Sequence, residues 1–205
     1  MRLAIFGASG ATGRHLLRLA LDAGHTVTVL LRSADSVSIQ HPALTAIVGR
    51  FDQPAMVESV VQGADAVISV LGARKGGAQT ICSDAMRSIV PAMQATNSQR
   101  LIALSAYGAS ETRHASWFIR FVRWVIADKM RDKDAMEALV RSSGTGWTLV
   151  RPPALTNGEA SGRYRSGIGL TPGITGRLSR ADLAAFILRT AESGAFIGQA
   201  PVVSL

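Results

Sequence analysis

The chain has 205 residues, 47% of them hydrophobic and 18% charged, enough to fill one sizeable core and too apolar for a disordered tail. No apolar run reaches the roughly 18 residues that span a bilayer, and a single cysteine, Cys82, excludes a disulfide framework and a cysteine-rich zinc site. The net charge of +8 comes mostly from arginines spread along the chain, which fits an arginine-rich surface with a few cations recruited for phosphate and predicts no nucleic-acid partner, while the lack of a spanning run predicts no membrane partner.

Arg2 to Phe6 is short and apolar, ends at Gly7, and precedes a stretch with Leu16, Leu17, Ala20 and Leu21 on one helical face. It carries no cleavable signal, and a cytoplasmic location is expected. Thr26 to Leu31 is a β-branched run closed by Arg32, completing a strand, helix and strand unit. The same texture predicts strands at Leu44 to Val48, Ala66 to Leu71, Leu101 to Ser105 and Gly146 to Val150. Helices are expected at Pro54 to Val61, at Ile81 to Ala95, and as one long amphipathic helix from about Ser116 to Ser143. Residues 152–178 are rich in Gly, Ser, Thr and Arg and read as a loop-rich segment on the substrate side. Ser179 is the expected N-cap of a last helix, with Asp182 as its acidic N3 partner, and Pro201 to Ser204 an edge strand. This alternation predicts one α/β domain over 1–205, a Rossmann-like doubly wound parallel sheet whose ligands sit beyond the carboxyl ends of the strands.

The turn Gly7-Ala8-Ser9-Gly10-Ala11-Thr12-Gly13 lies where a dinucleotide-binding fingerprint belongs, directly after the first strand and opening the first helix. Gly7 permits the tight turn, Gly10 lets backbone approach a pyrophosphate, and Gly13 lets helix and strand pack closely. At the end of the second strand Arg32 and Ser33 stand where a carboxylate would hold ribose hydroxyls. A cation and a hydroxyl suit a 2′-phosphate, so NADP(H) is the expected cofactor.

The turn resembles that of the atypical short-chain dehydrogenase/reductases with NmrA-like NAD(P)H-binding domains. Further matches are Gly63 to Ile68 running into Leu71-Gly72, Leu104 to Ala109, Val150-Arg151-Pro152-Pro153 and Ser179 to Leu183. The resemblance implies that Gly7, Ser9, Gly10, Ala11, Thr12 and Gly13 line the pyrophosphate and Arg32 with Ser33 holds the 2′-phosphate. It also implies that Leu71, Gly72 and Arg74 pass beneath the nicotinamide ribose, and that Ser105 and Pro152 lie beside the cofactor. Where relatives carry Asp after the third-strand glycine, this chain has Arg50. Either Arg50 stacks on adenine or joins a 2′-phosphate clamp, or Asp52 takes the polar role.

Ordinary members of this superfamily draw a proton from a Tyr-x-x-x-Lys pair, whose lysine lowers the phenol's pKa. Spacing back from Gly144 puts Lys133 in the lysine seat and Lys129, not tyrosine, in the other. Ser105, Lys133 and Tyr107 are therefore the catalytic candidates, Tyr107 only if its ring turns inward. The four histidines lack ligand spacing, and no metal site is expected. Trp117, Phe121 and Trp124 share one helical face, which could pack in the core, wall the nicotinamide or contact a second copy.

The function implied is hydride transfer from NADPH to a planar small-molecule acceptor, a flavin or quinone, by a monomer or homodimer. The alternative is a non-catalytic NADP(H)-binding module that senses redox state.

Overall fold

Strand β1 (Arg2–Phe6) turns Leu3 and Ile5 to one face and Ala4 and Phe6 to the other, and all four are buried. A strand with both faces apolar belongs at the middle of a sheet covered on two sides. In the computed structural model, which describes residues 1–73 and 77–205, this is its position. Helix α1 (Ala11–Asp22), β2 (Thr26–Leu31), β3 (Leu44–Val48), α2 (Pro54–Val61), β4 (Ala66–Ser69), α3 (Ile81–Ala95) and β5 (Arg100–Leu104) follow in turn. Next come α4 (Trp117–Val125), α5 (Ala127–Arg141) and β6 (Gly146–Val150). Six parallel strands lie in the order β3-β2-β1-β4-β5-β6, the doubly wound arrangement with its switch point between β1 and β4.

One face is closed by Leu16, Leu17 and Ala20 of α1, packed with Leu183, Phe186 and Ile187 of the last helix, α6 (Arg180–Ser193). The other is closed by Val57 and Val60 of α2, Met86, Ile89 and Met93 of α3, and Met136 and Val140 of α5. Each set recurs at three- or four-residue spacing, the period that puts side chains on one helical face.

The loop-rich segment holds three short strands, β7 (Ala154–Thr156), β8 (Arg165–Gly167) and β9 (Arg177–Ser179). Strand β7 pairs with β9, and β8 pairs antiparallel with β10 (Val202–Ser204). The chain leading into β10 also runs beside β6, where Leu149 N–H bonds Gln199 O and Arg151 N–H bonds Pro201 O. That covers one edge of the main sheet.

One expectation is corrected, and one of three open alternatives is set aside. The single helix from Ser116 to Ser143 is broken at Ile126, whose φ of −115° and ψ of 40° leave the helical region. Neither Pro nor Gly marks the break; tertiary contacts impose it. Ile119 packs at Gly108, and Arg123 donates to Gly108 O and to Asp134, fixing α4 against the turn after β5. The aromatic face is not core either, for Trp117, Phe121 and Trp124 are 74%, 55% and 76% exposed.

Candidate functional site

At the carboxyl end of β1 the chain reverses at Gly7, whose φ of +92° is closed to most side chains. A Cβ there would also lie 3.1 Å from the backbone of Val70, which bonds back to Phe6 O just past β4. Gly10 N–H closes the turn onto Gly7 O at 2.9 Å. Gly13 then tucks beneath it so closely that a Cβ would stand 2.0 Å from Gly7 O. Gly10 differs from both: its backbone is ordinary extended, and beyond Gly7 O a Cβ would meet nothing. Two glycines thus serve the fold, and the third keeps the space above the turn clear.

Gly10 caps α1 without a side-chain hydrogen bond, and the first turn contains no acid. The N–H groups that open the helix therefore face the clearing with nothing negative beside them, the electrostatic setting for a pyrophosphate. Ala11 is exposed, Ser9 half-buried and Thr12 buried.

The ends of β2 and β3 lie side by side, with Gly49 N–H extending the ladder to Leu31 O. Arg32 and Ser33 are exposed there, and no ion pair engages Arg32 among the described residues. Arg50, on the same edge, pairs with Asp52 at 3.2 Å, both side chains well exposed. Arg50 is thus engaged with Asp52, whereas Arg32 has no ion-pair partner among the described residues.

Beyond β4 and β5, Lys133 reaches from α5 to the strand ends. Its ammonium donates to Leu104 O at 2.5 Å and to Leu71 O at 3.1 Å, tying together the two turns that follow these strands. Behind it Asp132 accepts from the N–H groups of Cys82 and Ser83, capping α3 where Thr80 does not. Burial pushes the Cys82 thiol above its ordinary pKa despite the nearby lysine, so it stays protonated. Lys129 is exposed on the outer side of α5. Tyr107 is half-buried; its N–H bonds Pro152 O at 2.8 Å, joining the segments that continue β5 and β6. Gly72 is exposed, and Arg74 lies outside the described residues.

Ser105 is 4% exposed, and its hydroxyl donates to Glu137 Oε1 at 2.5 Å. Glu137 is fully buried and receives Nε and Nη2 of Arg151, itself 1% exposed. Arg151 also donates to Glu111 at 2.8 Å, and Arg141 closes the chain onto Glu111. The bond from Arg151 is the main cause that holds the Glu111 carboxyl down to about 2, while the two carboxylates raise the arginine's already high pKa against its burial. The sequence carried a signal for this network. Glu137 sits at the inward spacing of Met130, Lys133 and Val140, and an acid on a buried face requires a cation.

Ser179 caps α6 by accepting from Asp182 N–H, as expected. The Asp182 carboxylate does not complete a reciprocal box with the Ser179 backbone. It accepts from the Ser179 hydroxyl, from Ser161 and from the N–H of Gly162, and these bonds outweigh burial and lower its pKa. Among the described residues no cluster of three or more His, Cys, Asp or Glu could hold a metal, and no helix is long and apolar enough to cross a membrane.

Residues 7–193 match the NAD(P)H-binding family. The chain belongs to that family. YwnB of Bacillus subtilis is 24% identical to it over 174 residues, covering 82% of this chain and 79% of that protein. ChuY of Escherichia coli O157:H7, an anaerobillin reductase, superposes with a TM-score of 0.86 at 22% identity over 99% of this chain and 96% of its own. A wide-type short-chain dehydrogenase/reductase of Veillonella parvula, solved with NADP, gives 0.81 at 20% identity over 100% and 94%. These likenesses confirm the Rossmann-like α/β fold that the motifs implied.

Proposed function

We propose that the chain is an NADPH-dependent reductase that passes hydride to a planar acceptor, a flavin or a quinone. The observation that carries this reading is the engagement of Lys133. In a Tyr-x-x-x-Lys pair the lysine lowers a phenol's pKa; here its ammonium is given to two backbone carbonyls. The chain has two tyrosines. Tyr164 has a buried hydroxyl without a partner, and Tyr107 makes no hydrogen bond to Lys133. A site without a protein acid suits acceptors that collect their proton from solvent.

The residues present fit the nicotinamide cofactor, since Gly10 leaves its cradle open and the N-terminus of α1, with no acid in its first turn, opens onto it. When bound, the cofactor supplies the hydride. Gly7 to Gly13 would hold the pyrophosphate, and Arg32 with Ser33 the 2′-phosphate. Lys133 fixes the spacing of the Leu71 and Leu104 turns, between which the nicotinamide ring would lie. Ser105 acts through Glu137 as a support for the β5 end rather than as a group facing the acceptor.

The test is NADPH oxidation, followed by absorbance, with free flavins and quinones across a pH series. Turnover without a phenolic limb, retained in Tyr107→Phe, is the expected result. Tight NADPH binding with no turnover on any flavin, quinone or carbonyl acceptor would replace this reading with the redox-sensing module.

A further inference from the structure

Helix α4 is built inside out. Its inward side carries Ile119, Val122 and the half-buried Arg123, while Trp117, Phe121, Trp124 and Val125 all project to solvent at 55% exposure or more. Phe121 and Trp124 lie with ring centroids 6.2 Å apart, so the apolar surface is continuous rather than scattered. Surface helices of soluble proteins bury this stripe, and an aromatic patch left in water marks a contact.

The charge around the patch selects the contact. Beside Trp124 lies a shallow depression walled by Arg113, His114, Arg120 and Arg123. Each acid on the adjoining elements is already engaged: Asp134 by Arg123, Asp128 by Arg131, and Glu111 by Arg141 and Arg151. Among the described residues Arg113 and Arg120 have no ion-pair partner. The face is therefore aromatic at its crest and cationic at its flank.

We propose that α4 is an in-plane membrane-contact helix, with Trp117, Phe121 and Trp124 seated at the headgroup and acyl boundary of an anionic lipid surface and Arg113 and Arg120 meeting lipid phosphates. Tryptophan suits this boundary because its ring is apolar and its N–H finds a polar partner. Arginines beside an aromatic face add attraction to anionic headgroups. A second copy is the less favourable occupant, since a two-fold contact sets the same patch against itself and would oppose Arg113 and Arg120 to their own kind. The expectation of no membrane partner rested on the absence of a spanning run, a criterion that a nine-residue helix lying in the surface does not meet.

The test is flotation of the full chain with vesicles of phosphatidylcholine alone or mixed with phosphatidylglycerol, with tryptophan emission read in parallel. Two of the three tryptophans sit on the patch, so binding should shift the emission to the blue. Preferential binding to the anionic vesicles, weakened by salt, is expected. Trp117→Ser/Trp124→Ser and, independently, Arg113→Gln/Arg120→Gln should each reduce it at least about tenfold, with thermal melts unchanged because all four positions are exposed. No flotation with anionic vesicles, or flotation of both variant pairs equal to that of the parent chain, overturns the proposal. So does a lipid-free dimer in sedimentation velocity that the tryptophan variant abolishes, which would assign the face to a second copy. None of these readouts depends on cofactor or turnover.

Discussion

Ser105 on β5's end and Glu137 on α5 are joined by a 2.5 Å hydrogen bond inside a buried ion pair that Arg151 completes. A neutral donor to a buried carboxylate contributes more than an ordinary hydrogen bond, because the acceptor has no water to turn to. Ser105→Ala should cost about 1.5–3 kcal/mol in chemical denaturation and leave NADPH affinity within about twofold. A stable variant that has lost cofactor binding would put the hydroxyl back in the cleft.

Arg32 is exposed at the β2 end, while Arg50 is held by Asp52. Arg32→Ala should therefore weaken NADPH binding about ten- to a hundredfold, the equivalent of roughly 1.5–3 kcal/mol for a charge-assisted contact, and leave NADH nearly unchanged. Calorimetry with both cofactors checks it. Equal losses for the two would mean that Arg32 acts on something other than the 2′-phosphate.

The glycines of the turn should separate by what they protect. Gly10→Val places a Cβ 3.1 Å from Gly7 O and near nothing else, so the protein should still fold, with a loss of about 1–3 kcal/mol at most, and fail to bind cofactor. Gly13→Ala drives a Cβ to within 2.0 Å of that same carbonyl, and overpacking of this kind should cost about 1–3 kcal/mol or more. Thermal melts and cofactor titration of the two variants give opposite patterns if the division holds.

Glu111 predicts the acid limb of stability. Its carboxyl lies at about 2 in the folded chain against an ordinary 4.5, so folding favours the charged form. The stabilisation is complete above the ordinary value and is lost as pH falls from there toward 2. With the side chain 59% exposed, solvent screening leaves on the order of 1 kcal/mol. Denaturation midpoints of Glu111→Gln should converge with those of the parent chain at the acid end and fall below them at neutral pH.

Local chemistry made much of this molecule legible. The bounds of β1, β2, β3 and α2 follow from apolar runs ended by Gly, Arg or Pro, and the glycine turn announces its own position. What escaped depends on residues far apart in the chain. Asp132 caps α3 from fifty residues away, and Ser105 bonds a buried acid that a different helix supplies. The hydrophobic spacing of α4 and α5 runs almost in phase across Ile126, so periodicity reads one helix where packing at Gly108 demands two.

The Asp182 clamp on Ser161 and Gly162 gives the loop-rich segment a fixed point. Asp182 belongs to α6, which packs along α1, the helix that starts at the glycine turn. The near half of the segment is consequently moored to the body that receives the pyrophosphate. Beyond Gly162 the segment is fastened again, where β8 pairs with β10 and β9 with β7, so cutting the mooring with Asp182→Ala would slacken the span around Ser161 and Gly162 between two tethered ends.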